Sequence, residues 1–248
     1  MEKSDFIKRI EDLDSRCERT SAVTCTGFLT PAEQYELEQW KTHLNSKVFL
    51  CGGGNDNERK IAFFLPFYLE ETDLIPGEYI DAVKIKSFFG QPEHRDYMGA
   101  VLGLGIKREW IGDFIVSDDT CYVFCTGSVK KILVNELEKV GRCGVKVAEC
   151  TLSDVPSPEK AFKTVTFTVK SLRLDAVAGD IFKISRNLAC EAISQGLVSL
   201  NYSICLKKDA EVRENDVLSL RGKGKGRITE IGGKSKKDRL FITAEIYK

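Results

Sequence analysis

The residues best suited to chemistry in this chain are cations placed to meet phosphate. Arg173 is followed by Ser185 and Arg186, and then by a tail in which Arg221, Lys223, Lys225, Arg227, Lys234, Lys236, Lys237 and Arg239 face only Glu230 and Asp238. A guanidinium offers several N–H donors in one plane to phosphate oxygens. A serine opening a helix adds the unsatisfied backbone N–H groups of its first turn. Glycines at 222, 224 and 226 let Lys223, Lys225 and Arg227 follow an uneven backbone, so a glycine-rich basic loop is expected there. No aromatic cluster accompanies these cations, which suits recognition of RNA shape and phosphate geometry more than base identity.

Acid/base chemistry has few candidates, because the chain holds only His43 and His94. His94-Arg95-Asp96 is the tempting triplet, but it lacks the leucine of the His-Arg-Leu-Asp run of pseudouridine synthases, and Asp96 is expected at a helix start. Lys234-Ser235-Lys236-Lys237-Asp238 has no His-x-Gly-His partner and reads as a basic loop, not an ATP site. Gly103-Leu104-Gly105 lacks the third glycine of a dinucleotide fingerprint and follows a helix instead of a strand. The triple glycine at 52–54 is expected to make a hairpin turn. Nine cysteines without a Cys-x-x-Cys pair predict reduced, mostly buried thiols and no structural zinc. No catalytic residue, cofactor or metal is expected.

The elements that must position these groups begin with a helix carrying Phe6, Ile10, Leu13 and Cys17. A second helix is announced by Thr30-Pro31-Ala32-Glu33, with Leu37, Trp40 and Leu44 as its apolar stripe. Strands over 47–51 and 60–67 complete a small α+β domain, 1–75. From 76 to 151 the pattern predicts a strand 79–89, a helix 93–102, strands 111–116 and 121–125, a helix 129–140 and a strand 145–150. This βαββαβ order is that of a ferredoxin-like or RRM-like sandwich. Tyr122 and Phe124 would stack on bases if they faced outward. Residues 152–171 read as a linker and connecting strand. From Leu172 to the end the chain predicts two short helices, capped at Ser185, and a hairpin turning at Asn201-Tyr202. The fold class is α+β.

Charge divides along the chain. Residues 1–169 hold 21 Lys+Arg against 27 Asp+Glu (21 − 27 = −6), and residues 170–248 hold 16 against 10 (16 − 10 = +6), within a total of 37 of each sign. A basic domain on acidic ones points to a polyanion at the C-terminal end. With 30% charged residues, no apolar run long enough to span a bilayer and no secretory leader pattern, a cytoplasmic protein is expected.

Arg173-Leu174-Asp175, Ser185-Arg186, Ile193, Gly196, Val198, Asn201, Asp216 and Arg221-Gly222 stand in an order that resembles S4 RNA-binding domains. The whole chain resembles the bacterial YlmH family through His94-Arg95-Asp96-Tyr97-Met98-Gly99-Ala100, Leu102-Gly103-Leu104-Gly105-Ile106-Lys107-Arg108 and Ile111-Gly112-Asp113. The resemblance implies a non-enzymatic protein that binds structured RNA, rRNA or tRNA, on the large ribosomal subunit, with a role in ribosome-associated quality control. A pseudouridine-synthase-like enzyme and a protein-interaction adaptor are the alternatives. Implied RNA contacts are Arg173, Ser185, Arg186, Asn201, Lys207, Arg221, Lys223, Lys225, Arg227, Lys236 and Lys237, with His94, Arg95, Lys107 and Arg108 as secondary RNA or partner contacts. Asp175 is expected to brace a helix end. A monomer without a small-molecule substrate or a membrane association is expected.

Overall fold

The computed structural model describes residues 4–54, 57–157 and 162–247. The chain divides into two compact units, Met1–Pro158 and Glu159–Lys248.

In the first unit, α1 (Asp5–Thr20) opens on Ser4, whose hydroxyl accepts the Ile7 amide at 3.2 Å. A strand β1 (Thr24–Leu29) follows, then α2 (Pro31–Trp40) behind the expected capping box, in which the Glu33 carboxylate accepts the Thr30 amide at 2.7 Å. The strands β2 (Lys47–Cys51) and β3 (Lys60–Leu65) complete an antiparallel sheet of order β1-β3-β2. Ile10, Cys17, Leu29, Leu37, Val48 and Phe64 pack between sheet and helices. β1 escaped the sequence pattern because Gly27 and a register shift between Cys25 and Phe28 break its alternation. Gly27 is required there, since a Cβ would lie 2.6 Å from the Glu109 carbonyl oxygen.

The same unit continues with β4 (Asp81–Ser87), α3 (His94–Gly103), β5 (Ile111–Ser117), β6 (Thr120–Cys125), α4 (Gly127–Glu136), β7 (Lys139–Val140) and β8 (Cys143–Cys150). The antiparallel sheet has the order β5-β6-β4-β8-β7, with α3 and α4 packed on one face over Val83, Ile85, Val123 and Val145. This is the expected βαββαβ sandwich with one amendment. Residues 137–140 do not extend α4. The helical course ends at Leu137, whose backbone is extended, and Lys139 and Val140 pair with Gly144 and Cys143 across a turn at Gly141, where φ is 57°. Phe124, which would stack on bases only if it faced outward, is 1% exposed and packs with Phe28, Phe63 and Ile80 where the two sheets of the unit meet. Arg59 and Arg108 fasten the same junction, both donating to the Ile111 carbonyl.

The second unit comprises β9 (Phe162–Val169), α5 (Leu174–Ile181), α6 (Arg186–Ser194), β10 (Val198–Leu200), β11 (Ser203–Ile204), β12 (Val217–Leu220), β13 (Gly224–Lys234) and β14 (Leu240–Tyr247). They form one antiparallel sheet of order β11-β10-β12-β13-β14-β9, on which α5 and α6 bury Leu174, Val177, Ile181, Ala189 and Ile193. Two expectations change. The segment 162–169, read as a connecting strand, is the sheet's edge and pairs with β14 along its whole length, from Phe162↔Tyr247 to Val169↔Leu240. The glycine-rich basic segment is not a loop but an 11-residue strand. Ala161, expected to begin the connecting strand, lies outside the described residues.

The thiols are all free, but only Cys17, Cys121 and Cys125 are buried, and the other six are partly exposed. Burial pushes the Cys125 thiol up to about 12, which keeps it protonated and unreactive. Among the described residues no helix is long and apolar enough to cross a membrane.

Candidate nucleic-acid interface

Arg173 occupies the N-cap position of α5, and Arg186 is the first residue of α6, behind the Ser185 N-cap whose hydroxyl accepts the Leu188 amide at 3.3 Å. Between them sits Asp175, in the first turn of α5, with its side chain only 3% exposed. Arg173 donates to both of its oxygens, Nε to Oδ1 at 3.2 Å and Nη2 to Oδ2 at 2.9 Å. Arg186 reaches both from the other helix through Nη2, at 3.1 and 3.0 Å. One buried carboxylate thus holds two guanidinium groups from two helix starts. The arginines themselves remain open, with side chains 40% and 59% exposed. Arg186 keeps Nε and Nη1 without a protein partner among the described residues, and Arg173 keeps Nη1. These are the donors a phosphate would take.

Burial works to raise the Asp175 carboxyl, but the hydrogen bonds from Arg173 and Arg186 outweigh it and hold the group below its ordinary value. A carboxyl depressed in the folded state stabilises above its unfolded value, near pH 4, and loses that contribution as pH falls through the folded value. Asp175→Asn should therefore lower stability at neutral pH by about 1–2 kcal/mol, a figure discounted for the half-exposed arginines, and should shrink the acid sensitivity of unfolding. Denaturant titrations of wild type and variant at neutral pH and near pH 3 measure both. A gap that does not narrow in acid would show that the bridge contributes nothing.

Next to this bridge a cleft of about 220 Å³ is lined by Lys170, Ser171, Asp180, Arg186 and Arg239, with Val169, Ala176, Gly179 and Ile184 as its apolar walls. Three cations face one carboxylate. Arg239 is anchored by Nε on the Thr168 hydroxyl at 2.9 Å and by Nη2 on the Thr168 carbonyl. Lys236 and Lys237 are exposed in the adjoining β13–β14 turn, where Lys234 is paired with Asp238 at 2.7 Å.

The other basic candidates gather elsewhere. Arg221 and Lys223 are exposed at the β12–β13 turn. Lys225 lies 4.8 Å from the centroid of the Tyr247 ring. Arg227 is bound to Glu245 at 3.1 Å, and its Nε is buried without a partner. These residues begin β13, whereas Lys236 and Lys237 follow its end, a separation of roughly 30 Å along the strand. The cations thus form two groups on one unit, the denser of them around Asp175.

Asn201 has a structural task. It is buried, donates to Asp216 at 2.8 Å and accepts the Val217 amide at 2.9 Å, which pins a turn where Asn201 and Tyr202 both have positive φ. Lys207 is exposed before the segment whose Lys208 carbonyl accepts the Asp175 amide at 3.0 Å. In the first unit His94 packs edge-on against Phe114, with ring centroids 5.4 Å apart, while Asp96 caps the Glu93 amide at 2.9 Å. Arg95 pairs with Glu93 at 3.2 Å, and Lys107 is exposed. Arg108 donates to the Ile111 and Gly112 carbonyls at 2.6 and 3.0 Å. Burial, then repulsion from Arg59, lower its pKa to about 10 against the pull of Asp113. Such a guanidinium is a fastener of the fold.

Sequence reasoning missed Lys170 and the double grip of Asp175. It also placed Arg239 in a loose tail instead of beside Arg186. The alternation from Leu240 to Tyr247 was a signal for β14, and recognising it would have brought Arg239 to the sheet end.

Residues 80–154 match the family described as "Putative RNA-binding domain in YlmH". The chain is 32% identical over 225 residues to "Ribosome-associated protein quality control protein P2" of Bacillus subtilis, a match covering 90% of this chain and 87% of that protein. The solved structure of "Cell division protein ylmH from Streptococcus pneumoniae" superposes with a TM-score of 0.53 at 19% identity, over 63% of this chain and 98% of that one, a likeness of fold alone. With a relative at that identity over 90% of this chain, and the motifs running from His94 to Asp113 in place, the chain belongs to the YlmH family.

Proposed function

We propose that this protein binds structured RNA through an S4-type C-terminal unit, and that its target is rRNA or tRNA on the large ribosomal subunit during quality control of stalled translation. The observation that carries the reading is the Asp175 bridge. A buried carboxylate that aims two half-exposed arginines from adjoining helix starts serves little purpose in an apolar core, but it pre-orders a phosphate grip so that less side-chain entropy is lost on binding. Lys170 and Arg239 extend that grip along the cleft, and Lys236 and Lys237 prolong it at the turn. The curated relative's name supplies the ribosome and the quality-control setting. The protein acts by binding and not by catalysis. The one triplet that suggested acid/base chemistry is built into the fold, with His94 against Phe114 and Asp96 in a helix cap.

Four to eight phosphate contacts are expected, each adding roughly 0.7–0.9 to the slope of log affinity against log salt. Filter binding of ribosomal RNA fragments across a potassium chloride series measures that slope, and a flat response would overturn the phosphate grip.

A further inference from the structure

The central sheet of the first unit has two unlike faces. Strands alternate, so Val83, Ile85, Val123 and Val145 turn under α3 and α4, while Lys84, Lys86, Tyr122 and Lys146 turn the other way. Register sets them side by side, with Tyr122 opposite Lys84 and Lys86 opposite Lys146. Phe88 continues the same face. Its amide donates to the Gly144 carbonyl at 3.0 Å, and a Cβ on Gly144 would come within 3.1 Å of its ring, so the ring packs against that glycine. Phe88 is nonetheless 67% exposed.

An aromatic ring with no cover, a second aromatic with the Lys84 ammonium 5.7 Å from its centroid, and lysines between the two make an unusual surface in an otherwise acidic half of the chain. The two rings stand roughly 13 Å apart along the sheet, four residues at a strand's rise. Asp119, paired with Lys86 at 3.6 Å, and Asp154, held by the Thr151 hydroxyl and amide, border the surface but leave Lys84 and Lys146 outside any carboxylate ion pair among the described residues. Beside Tyr122, past its cross-strand neighbour Ile115, the face descends into a cleft of about 320 Å³ walled by Gly53, Gly54 and the segment around Leu152 to Ser157.

We infer that the part of this face left uncovered beyond the buried Ala82 and Phe124 binds unpaired RNA, with bases stacked on Phe88 and Tyr122 and the sugar-phosphate chain tracked by Lys84, Lys86 and Lys146. Stacking rings interleaved with cations recognise single strands with little regard to sequence, because every base has a π face. A structured duplex does not fit, since its bases are already stacked. The two contacts of the molecule therefore divide the work: the C-terminal cations meet the phosphates of folded RNA, and this face holds a strand that has come free of it. The inference rests on the RNA-binding reading for the kind of polymer, and not on the C-terminal site.

Fluorescence anisotropy of the full chain with a labelled oligouridylate tests it. Phe88→Ala, at an exposed position where the fold is not at stake, should weaken binding about tenfold. Lys146→Glu should weaken it and flatten the salt dependence by about one to two in slope. Arg186→Glu should reduce co-sedimentation with large ribosomal subunits, and should weaken oligouridylate binding far less than Phe88→Ala does. Absence of oligouridylate binding by the wild type, or equal binding by Phe88→Ala and Lys146→Glu, overturns the inference. Loss in those two variants together with intact subunit binding by Arg186→Glu supports this face and refutes the C-terminal reading alone.

Discussion

Replacing Arg186 with glutamate is expected to reduce affinity for large ribosomal subunits by at least about tenfold, and to lower the salt slope by about one to two, because a phosphate contact is replaced by a repulsion. The size of the effect follows from the geometry. Arg186 is shared between Asp175 and the solvent-facing cleft, so its loss removes a donor to RNA and leaves Asp175 held by Arg173 alone. A glutamate there would stand beside the buried Asp175 carboxylate, raise the latter's pKa and loosen both helix starts. Arg186→Lys separates the two consequences. It keeps the charge but not the forked contact, so affinity should fall several-fold with the salt slope unchanged. Subunit co-sedimentation of both variants across a salt series makes the comparison, and circular dichroism confirms that α5 and α6 persist. Unchanged sedimentation of Arg186→Glu would remove the bridge from the RNA site.

The largest loss of stability among the surface-strand positions is expected at Gly226. A valine is a favourable strand residue, and on a loop it would be neutral. Gly226, however, sits in β13 beneath α5, where a Cβ would come 2.9 Å from Cγ2 of Ile181 and 3.4 Å from the Glu245 carbonyl oxygen. Ile181 is 2% exposed and β-branched, so it has nowhere to go. Gly226→Val should cost about 3 kcal/mol through overpacking, seen as a lower urea midpoint with an unchanged slope. A neutral result would mean that the helix does not rest on this strand.

Gly226 also shows where the sequence was legible and where it was not. Elements with strong periodicity or chemical punctuation were recovered: α1 through its apolar stripe, α2 through the Thr30/Glu33 box, α6 through Ser185, and the βαββαβ order through alternating apolar runs. β13 was hidden because Gly224, Gly226, Gly232 and Gly233 are turn-formers by type, and of the four only Gly226 lies where a neighbour, Ile181 of α5, comes too close for a side chain. β9 is legible as a strand, but its place at the sheet edge is not, because its partner β14 lies some seventy residues on and pairing at that distance leaves no local trace. The candidate site was legible as residue types and not as a grouping. Arg173, Asp175 and Arg186 meet as the helix junction suggested, but Asn201, which the S4 resemblance implies as an RNA contact, holds a turn. Arg108, a secondary contact by the YlmH resemblance, donates to backbone carbonyls. Buried polar groups satisfy the fold first, and sequence alone does not reveal which ones are buried.

Ultraviolet crosslinking in living cells, followed by identification of the RNA-bearing peptides, most directly tests the phosphate grip at the α5–α6 junction. Peptides spanning 170–186 and 234–239 should carry adducts of large-subunit RNA. Adducts confined to peptides before residue 158, or a protein recovered free of ribosomal RNA, would contradict it.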